Sequence, residues 1–264
     1  MSRRIITDNK TLFANYHALQ AGDIVIGRIR LHPGEESLLV DLVRRGVHLI
    51  PSALSQLCSR SKTLQVRLLG EYMGPGTSVA YDLHDMLRLV GEYKERCPVV
   101  CKLDRANGGA GILRFASIED VYTQAVLGAL SFPFVIQPFY QDCRDIRVVL
   151  LGDTIEAYER HNPNNFRHNL HFGGVSKPWR LSEQQLDLCR HIMARAEFPY
   201  AHIDFLITPS CETWLTEINL RGGLRGASLT QADYLQQVES IHERLVAELT
   251  KEGARKEGKI GRSR

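Results

Sequence analysis

The residues with the clearest chemical potential lie toward the end of the chain. In Thr216-Glu217-Ile218-Asn219 the alternation of a strand puts Glu217 and Asn219 on one face and turns Ile218 into a core. Asp204 lies among Ile203, Phe205, Leu206 and Ile207, where an ionised carboxylate is costly unless a cation or hydrogen-bond donors compensate it. If the two strands are hairpin neighbours, Asp204, Glu217 and Asn219 form an all-oxygen set for one or two Mg²⁺ ions and nucleotide phosphates. A solvated sheet face is the competing reading. A second constellation begins at Lys102, just before Asp104-Arg105-Ala106-Asn107-Gly108-Gly109-Ala110-Gly111. Gly108, Gly109 and Gly111 permit positive φ and close backbone approach, so amide N–H groups can face phosphate oxygens while Lys102 adds a point charge. This is neither the Walker order, with Lys after the glycines, nor a dinucleotide fingerprint, and a plain hairpin turn is the alternative.

Elements must hold these groups in place. Ile24–Ile29, a helix over Glu35–Arg45 ended by Gly46, and Val47–Ile50 read as a small β-α-β unit. Ser61 opens a helix toward Gly74, and Asp82 opens one to about Tyr93. Strands Pro98–Leu103 and Ile112–Phe115 bracket the glycine turn. A capping box at Ser117 and Asp120 starts a helix through about Leu130, and a strand follows over Phe134–Pro138. Asp145–Leu151 and Thr154–Arg160 flank Gly152-Asp153, the spacing of a tight hairpin. After an Asn-rich loop, Ser182 and Gln185 cap a helix to about Ala196, strands run over Tyr200–Ile207 and Thr213–Asn219, and a long helix starts near Gln231.

In this order the pieces resemble the ATP-grasp ligases, most closely the RimK-like branch that includes the ribosomal-protein glutamate ligase. The resemblance rests on SRSK ending at Lys62, VVCKLDRANGGAGI at 99–112, VIQPF at 135–139, DIRVVLLGDTIEAYER at 145–160, NFRHNLHFGG at 165–174, HIDFLI at 202–207 and TEINLRGGL at 216–224. It implies an α/β (α+β) ATP-grasp fold, with two α/β subdomains clamping ATP and a shortened N-terminal β-α-β region. The expected division is 1–57 for that region, 58–136 for the subdomain with the glycine loop, 137–250 for the one with the metal and acyl-phosphate site, and 251–264 for a basic tail.

The same resemblance implies roles. Lys62 and Lys102 would hold ATP phosphates under Gly108, Gly109 and Gly111. Gln137, Pro138 and Phe139 would form the hinge, the Pro138 carbonyl and the Phe139 N–H reading the adenine edge. Asp145 would accept the ribose hydroxyls. Arg167 and Asn169 would contact the γ-phosphate and an acyl phosphate, where a planar guanidinium suits the dianion. Asp204, Glu217 and Asn219 would bind Mg²⁺, two ions, with Mn²⁺ able to substitute. The implied reaction activates a carboxylate as acyl phosphate and joins it to an amine, adding an amino acid to a peptide, protein or small-molecule acceptor. Dimers or tetramers are the assembly the family implies. Pro138 stands where the family usually has Glu, and Ala110 where Lys, Arg or Gln is common. A nucleotide-binding regulatory module without ligase activity is the second reading, and a transition-metal site from His161, His168, His171 and Cys143 the third.

Composition bounds the rest. The 264 residues are 44% hydrophobic and 24% charged, enough for a core. No apolar run approaches the roughly 20 residues of a membrane span. The N-terminal segment lacks the apolar stretch of a signal peptide, and six cysteines without a C-x-x-C pair suit reduced thiols, so a cytoplasmic protein is expected. The net charge of +3 comes from the tail: residues 251–264 hold six Lys or Arg and two Asp or Glu, a net of +4, leaving −1 for the rest. No specific nucleic-acid partner is therefore expected, and the tail is expected to lack regular structure.

Overall fold

The computed structural model describes residues 3–93, 97–106, 109–168 and 170–260, without the side chains of Phe172 and 252–260. At the N-terminus β1 (Ile5–Ile6), β2 (Ile24–Ile26) and β3 (His48–Ile50) pair in parallel in chain order, with α1 (Asn9–Asn15) and α2 (Ser37–Arg44) between them. Leu12, Leu39 and Leu42 pack with Ile6 and Val25 into a separate apolar cluster. The expected β-α-β unit is present, and β1 with α1 precedes it. Two residues of strand are too few to give a readable alternation.

After α3 (Ala53–Cys58) and α4 (Lys62–Leu69) comes an antiparallel sheet of order β4-β7-β5-β6, built from β4 (Ser78–Ala80), β5 (Val99–Leu103), β6 (Ile112–Phe115) and β7 (Phe134–Pro138). Helices α5 (Leu83–Glu92) and α6 (Ile118–Val126) cover it, with Met86, Leu89, Ile118 and Val121 packed against Val99, Cys101, Phe134 and Ile136. Helix α6 ends at Val126, short of Leu130, because the chain turns at Gly128 with φ +73°. Its capping box is half formed. The Ser117 hydroxyl accepts the Asp120 N–H at 3.2 Å, but the short Asp120 carboxylate binds that hydroxyl and does not reach back to the Ser117 N–H.

The third sheet has the order β10-β9-β8-β11-β12 and is antiparallel throughout, built from β8 (Arg144–Leu151), β9 (Thr154–His161), β10 (Val175–Pro178), β11 (Tyr200–Ile207) and β12 (Thr213–Asn219). Helices α7 (Glu183–Arg195) and α8 (Gln231–Ile260) complete its core, where Ile146, Val148, Ile203, Phe205 and Ile218 meet Cys189, Ile192 and Ile241. The Ser182–Gln185 capping box is complete. The tail expectation is corrected: α8 continues through Ile260. Glu, Ala, Arg and Lys between 252 and 259 are strong helix formers, and they outweigh Gly253 and Gly258, each about 1 kcal/mol worse than Ala. Residues 261–264 lie outside the described part. Among the described residues no helix is long and apolar enough to cross a membrane.

Helix α4 couples two sheets. Buried Gln65 donates to the carbonyls of Cys58 and Ile218, both at 2.9 Å, and its Oε1 accepts the Ile218 N–H at 3.0 Å. One side chain thus satisfies both backbone groups of Ile218, between Glu217 and Asn219. Gln65→Ala leaves those groups unpaired and is expected to lower the unfolding free energy by roughly 2 kcal/mol, read as a lower urea midpoint at unchanged slope.

Candidate active site between two sheets

The site begins as a polar face on the third sheet. Register places Glu217, Asp204, Arg147 and Tyr158 side by side across β12, β11, β8 and β9, since direct partners project to the same face. Beside this row stand the pairs Asn219–His202 and Asp145–Arg160. Asp204 is only 6% exposed. Arg147 grips it bidentately, Nε to Oδ1 and Nη2 to Oδ2 at 2.7 Å each, and Arg160 Nη2 reaches Oδ2 at 3.1 Å. Burial alone would raise the Asp204 carboxyl, but Arg147 and Arg160 overcome it and hold the group below the usual carboxylate range. Arg160 also binds Asp145, Nε to Oδ1 at 2.8 Å, so the four residues form one alternating network.

The cost of burying Asp204 is met by arginines, and a cation at Asp204 would compete with Arg147. Asp145, expected to receive ribose hydroxyls, holds Arg160. Both arginines were legible in outline. The Gly152-Asp153 turn sets Leu151 opposite Thr154, and counting back from it pairs 147 with 158 and 145 with 160.

Facing this row is the glycine hairpin. Buried Lys102, on β5, donates from Nζ to the Thr216 carbonyl at 3.1 Å. That carbonyl is exposed by a β-bulge: Asp204 pairs with Glu217 while Phe205 pairs with Leu215, leaving Thr216 as the extra residue. Burial pulls the Lys102 ammonium below its ordinary value, Glu217 opposes this, and Lys62 adds to it. Lys62, the first residue of α4, pairs with Glu217 Oε1 at 3.5 Å and donates to the Ala106 carbonyl at 2.6 Å. Asp104, which sequence reasoning passed over, accepts the Thr63 N–H and the Ser61 hydroxyl, tying the start of the hairpin loop to α4. In the loop Gly109 has φ +81°, and a Cβ at Gly111 would fall 2.2 Å from the Ala106 Cβ. Gly108 lies outside the described residues.

The remaining predicted groups sit around this centre. Arg167 donates through Nε to the Ile112 carbonyl at 2.9 Å and stacks on Phe166. Ile112 is the cross-strand partner of Lys102, so Arg167 lies on the hairpin. Asn169 lies outside the described residues. Gln137 and Pro138 end β7, but the Phe139 N–H donates to the Pro98 carbonyl at 2.8 Å and is not open to a base, a correction to the expected hinge. The Tyr140 N–H, next in line, has no acceptor among the described residues. The Tyr140 ring lies 4.6 Å from that of Trp214, and with Gln137, Gly74 and Thr216 they line a cavity of only about 10 Å³. His161 and His168 stack at 5.5 Å, and among the described residues no three His, Cys, Asp or Glu side chains group as a metal site.

His202 is 2% exposed, and among the described residues neither ring nitrogen has a hydrogen-bond partner. Burial, with the nearby Arg147 charge, pushes it down to about 4. The unfolded chain therefore takes up a proton below about pH 6.5 that the folded chain refuses until about pH 4. Stability from this group is complete above pH 6.5 and is expected to fall by up to roughly 3 kcal/mol as pH drops to 4. Urea unfolding in EDTA across that window measures it, and His202→Leu should flatten the slope. Half-buried His168 and His242, shifted the same way by burial, leave a residue of it.

Residues 59–238 match the family model described as RimK-like ATP-grasp domain. A probable alpha-L-glutamate ligase of Cellvibrio japonicus is 28% identical over 222 residues, covering 79% of this chain and 71% of that protein. The glutathione synthetase of Agrobacterium fabrum is 26% identical over 175 residues, covering 59% of this chain, which spans about half of that protein, 53%. Among solved structures, an ADP complex of N5-carboxyaminoimidazole ribonucleotide synthetase superposes with a TM-score of 0.59 at 13% identity, over 83% of this chain and 59% of that one. D-cycloserine synthetase gives 0.58 at 13% identity, over 84% of both chains. At such identities the superpositions speak for the fold, which is that of the ATP-grasp enzymes. With the family model spanning more than half of its length, the chain belongs to the RimK-like ATP-grasp family.

Proposed function

We propose that the chain is an ATP- and Mg²⁺-dependent carboxylate–amine ligase that forms an amide through an acyl phosphate. The observation that carries this reading is the convergence of Lys62 and Lys102, from different elements, on Glu217 and the Thr216 bulge beneath the glycine hairpin. Two ammonium groups in a shielded cleft are a receptor for phosphates. Family membership and glutamate ligases among the relatives support the same class.

In this reading Lys62 and Lys102 draw the β- and γ-phosphates under the loop at Gly109–Gly111. The adenine edge meets the Pro138 carbonyl and the Tyr140 N–H. Glu217 and Asn219, oxygen donors on one face of β12, are the right chemistry for a hard cation, and Asp204 completes the set when Arg147 gives way. A bound magnesium ion supplies charge neutralisation for the transferred phosphoryl group. A substrate carboxylate oxygen attacks the γ-phosphorus, and the bond to ADP breaks. An amine then forms the C–N bond, phosphate leaves with the C–O electron pair, and the amine sheds one proton. Arg167 steadies the developing charge from the hairpin side, and the protein's main contribution is position. The N-terminal parallel sheet forms one wall of the acceptor site, and the acceptor is an amino acid, a peptide or a protein.

The test is ADP release in the presence of ATP, Mg²⁺ and pooled amino acids and short peptides, with mass detection of products. Lys102→Ala is expected to abolish ATP binding, and Glu217→Gln to lower Mg²⁺-dependent turnover by roughly 10²-fold or more with circular dichroism unchanged. ATP binding without turnover in any pool would leave a nucleotide-binding module in its place.

A further inference from the structure

Arg167 is the last member of a stack of four side chains that crosses the cleft. Arg114 lies over the Phe139 ring, 4.2 Å from its centroid, and Arg167 lies over the Phe166 ring at 4.3 Å. Between them the two rings meet edge to face, with centroids 6.1 Å apart and planes at 85°. A ring pair is thus flanked by two cations, each contact within the range at which such groups attract. Arg114 comes from β6 and Phe139 from just past the end of β7, whereas Phe166 and Arg167 lie in the connection between β9 and β10. The stack therefore ties a loop of the third sheet to the second.

Register fixes the side of the second sheet on which this happens. Val100 is the cross-strand partner of both Arg114 and Gln137, and Lys102 is the partner of Ile112, two residues before Arg114. Direct partners and alternate residues share a face, so Arg114 and Lys102 stand on one side while Val99 and Cys101 pack under α5 and α6 on the other. That side is the one from which Lys102 reaches the Thr216 carbonyl. The Ile112 carbonyl, held by Arg167 Nε at 2.9 Å and by Nη2, lies one strand from Lys102, about 5 Å across the sheet.

The loop secures Arg167 from its own side as well. The Arg167 N–H donates to Asn165 Oδ1 at 2.9 Å. Next to it, His168 Nδ1 accepts the Asn162 N–H at 3.1 Å, and the ring stacks on His161 at the end of β9. An arginine loses much rotamer freedom when it is ordered, and here the stack imposes that order before a ligand arrives.

We propose that Phe166, backed by Phe139 and Arg114, is the positioning residue for Arg167, holding its guanidinium beside Lys102 for the terminal phosphate of ATP. This role rests on the ligase reading, in which Arg167 meets the γ-phosphate. On binding, the guanidinium exchanges the Ile112 carbonyl for charged phosphate oxygens while the Phe166 ring stays beneath it. A preset fork at that point separates a nucleoside triphosphate from a diphosphate, because the diphosphate has no group to offer it.

The experiment measures affinity of the full chain for a non-hydrolysable ATP analogue and for ADP, both with Mg²⁺, by displacement of a fluorescent ADP. Arg167→Ala is expected to weaken the triphosphate about 10-fold relative to ADP. Phe166→Ala should give about 5- to 10-fold of the same loss, leave ADP within about twofold and keep its circular dichroism; Phe166→Tyr should stay near the parent. Phe166→Leu, which keeps bulk but not the ring face, should fall between them, and Arg114→Ala should lose about 2- to 3-fold. The variant carrying both Phe166→Ala and Arg167→Ala should be no weaker than Arg167→Ala alone, as expected of one residue acting through the other. Equal losses for both nucleotides, additive losses in the double variant, or an unchanged ratio of the two affinities in either single Ala variant overturns the proposal. A parent chain that binds neither nucleotide strikes the ligase reading itself.

Discussion

A carboxylate placed inside a sheet must be answered by charge, and the answer organises its surroundings. Asp204 is held by Arg147 in a two-point grip and by Arg160 from the side, and Arg160 in turn holds Asp145. Three strands, β8, β9 and β11, contribute to this network. Removing one member of such a group strands a buried charge and costs more than the group's net worth to stability. The network therefore specifies arrangement more than it adds stability. It fixes the register of three strands and the face on which β12 presents Glu217.

The opposite wall is coupled to this one through few connections, each placed where it matters. Gln65 joins α4 to the backbone of Ile218, Lys102 crosses to the Thr216 carbonyl, and Lys62 spans from the hairpin loop to Glu217. Two of the three are lysines, and if they take phosphates as proposed, a nucleotide would replace these protein contacts with its own. Trp214 packs against Tyr140 just past the end of β7, beside a cavity of only about 10 Å³.

Much of this was readable from the chain. Helix caps at Ser61, Asp82 and Ser182, the Gly152-Asp153 hairpin and the alternation around Ile218 each follow from local rules, and each is present. What escaped were facts carried by partners distant in sequence. Isolated strands could show that Asp204 needed compensation, but not that Arg147 was its neighbour, because that requires β8 to lie beside β11. The Phe139 N–H was read as open because Pro98, whose carbonyl takes it, lies 41 residues earlier. The tail was read as irregular from its glycines, although helix-forming neighbours outweigh them.

The bulge at Thr216 has a further consequence, for how β12 can change. Leu215, before it, faces the core opposite Phe205, while Glu217, after it, faces the cleft opposite Asp204, although both numbers are odd. The extra residue inverts the parity of the strand halfway along. Straightening the bulge with Thr216 kept would shift the phase of everything on one side, driving Ile218 into the cleft and Glu217 into the core, whereas loss of Thr216 itself would keep the phase and remove the carbonyl that Lys102 holds. Away from Thr216, gain or loss of one residue within the strand slips its faces, so changes in length belong to the loop at 208–212.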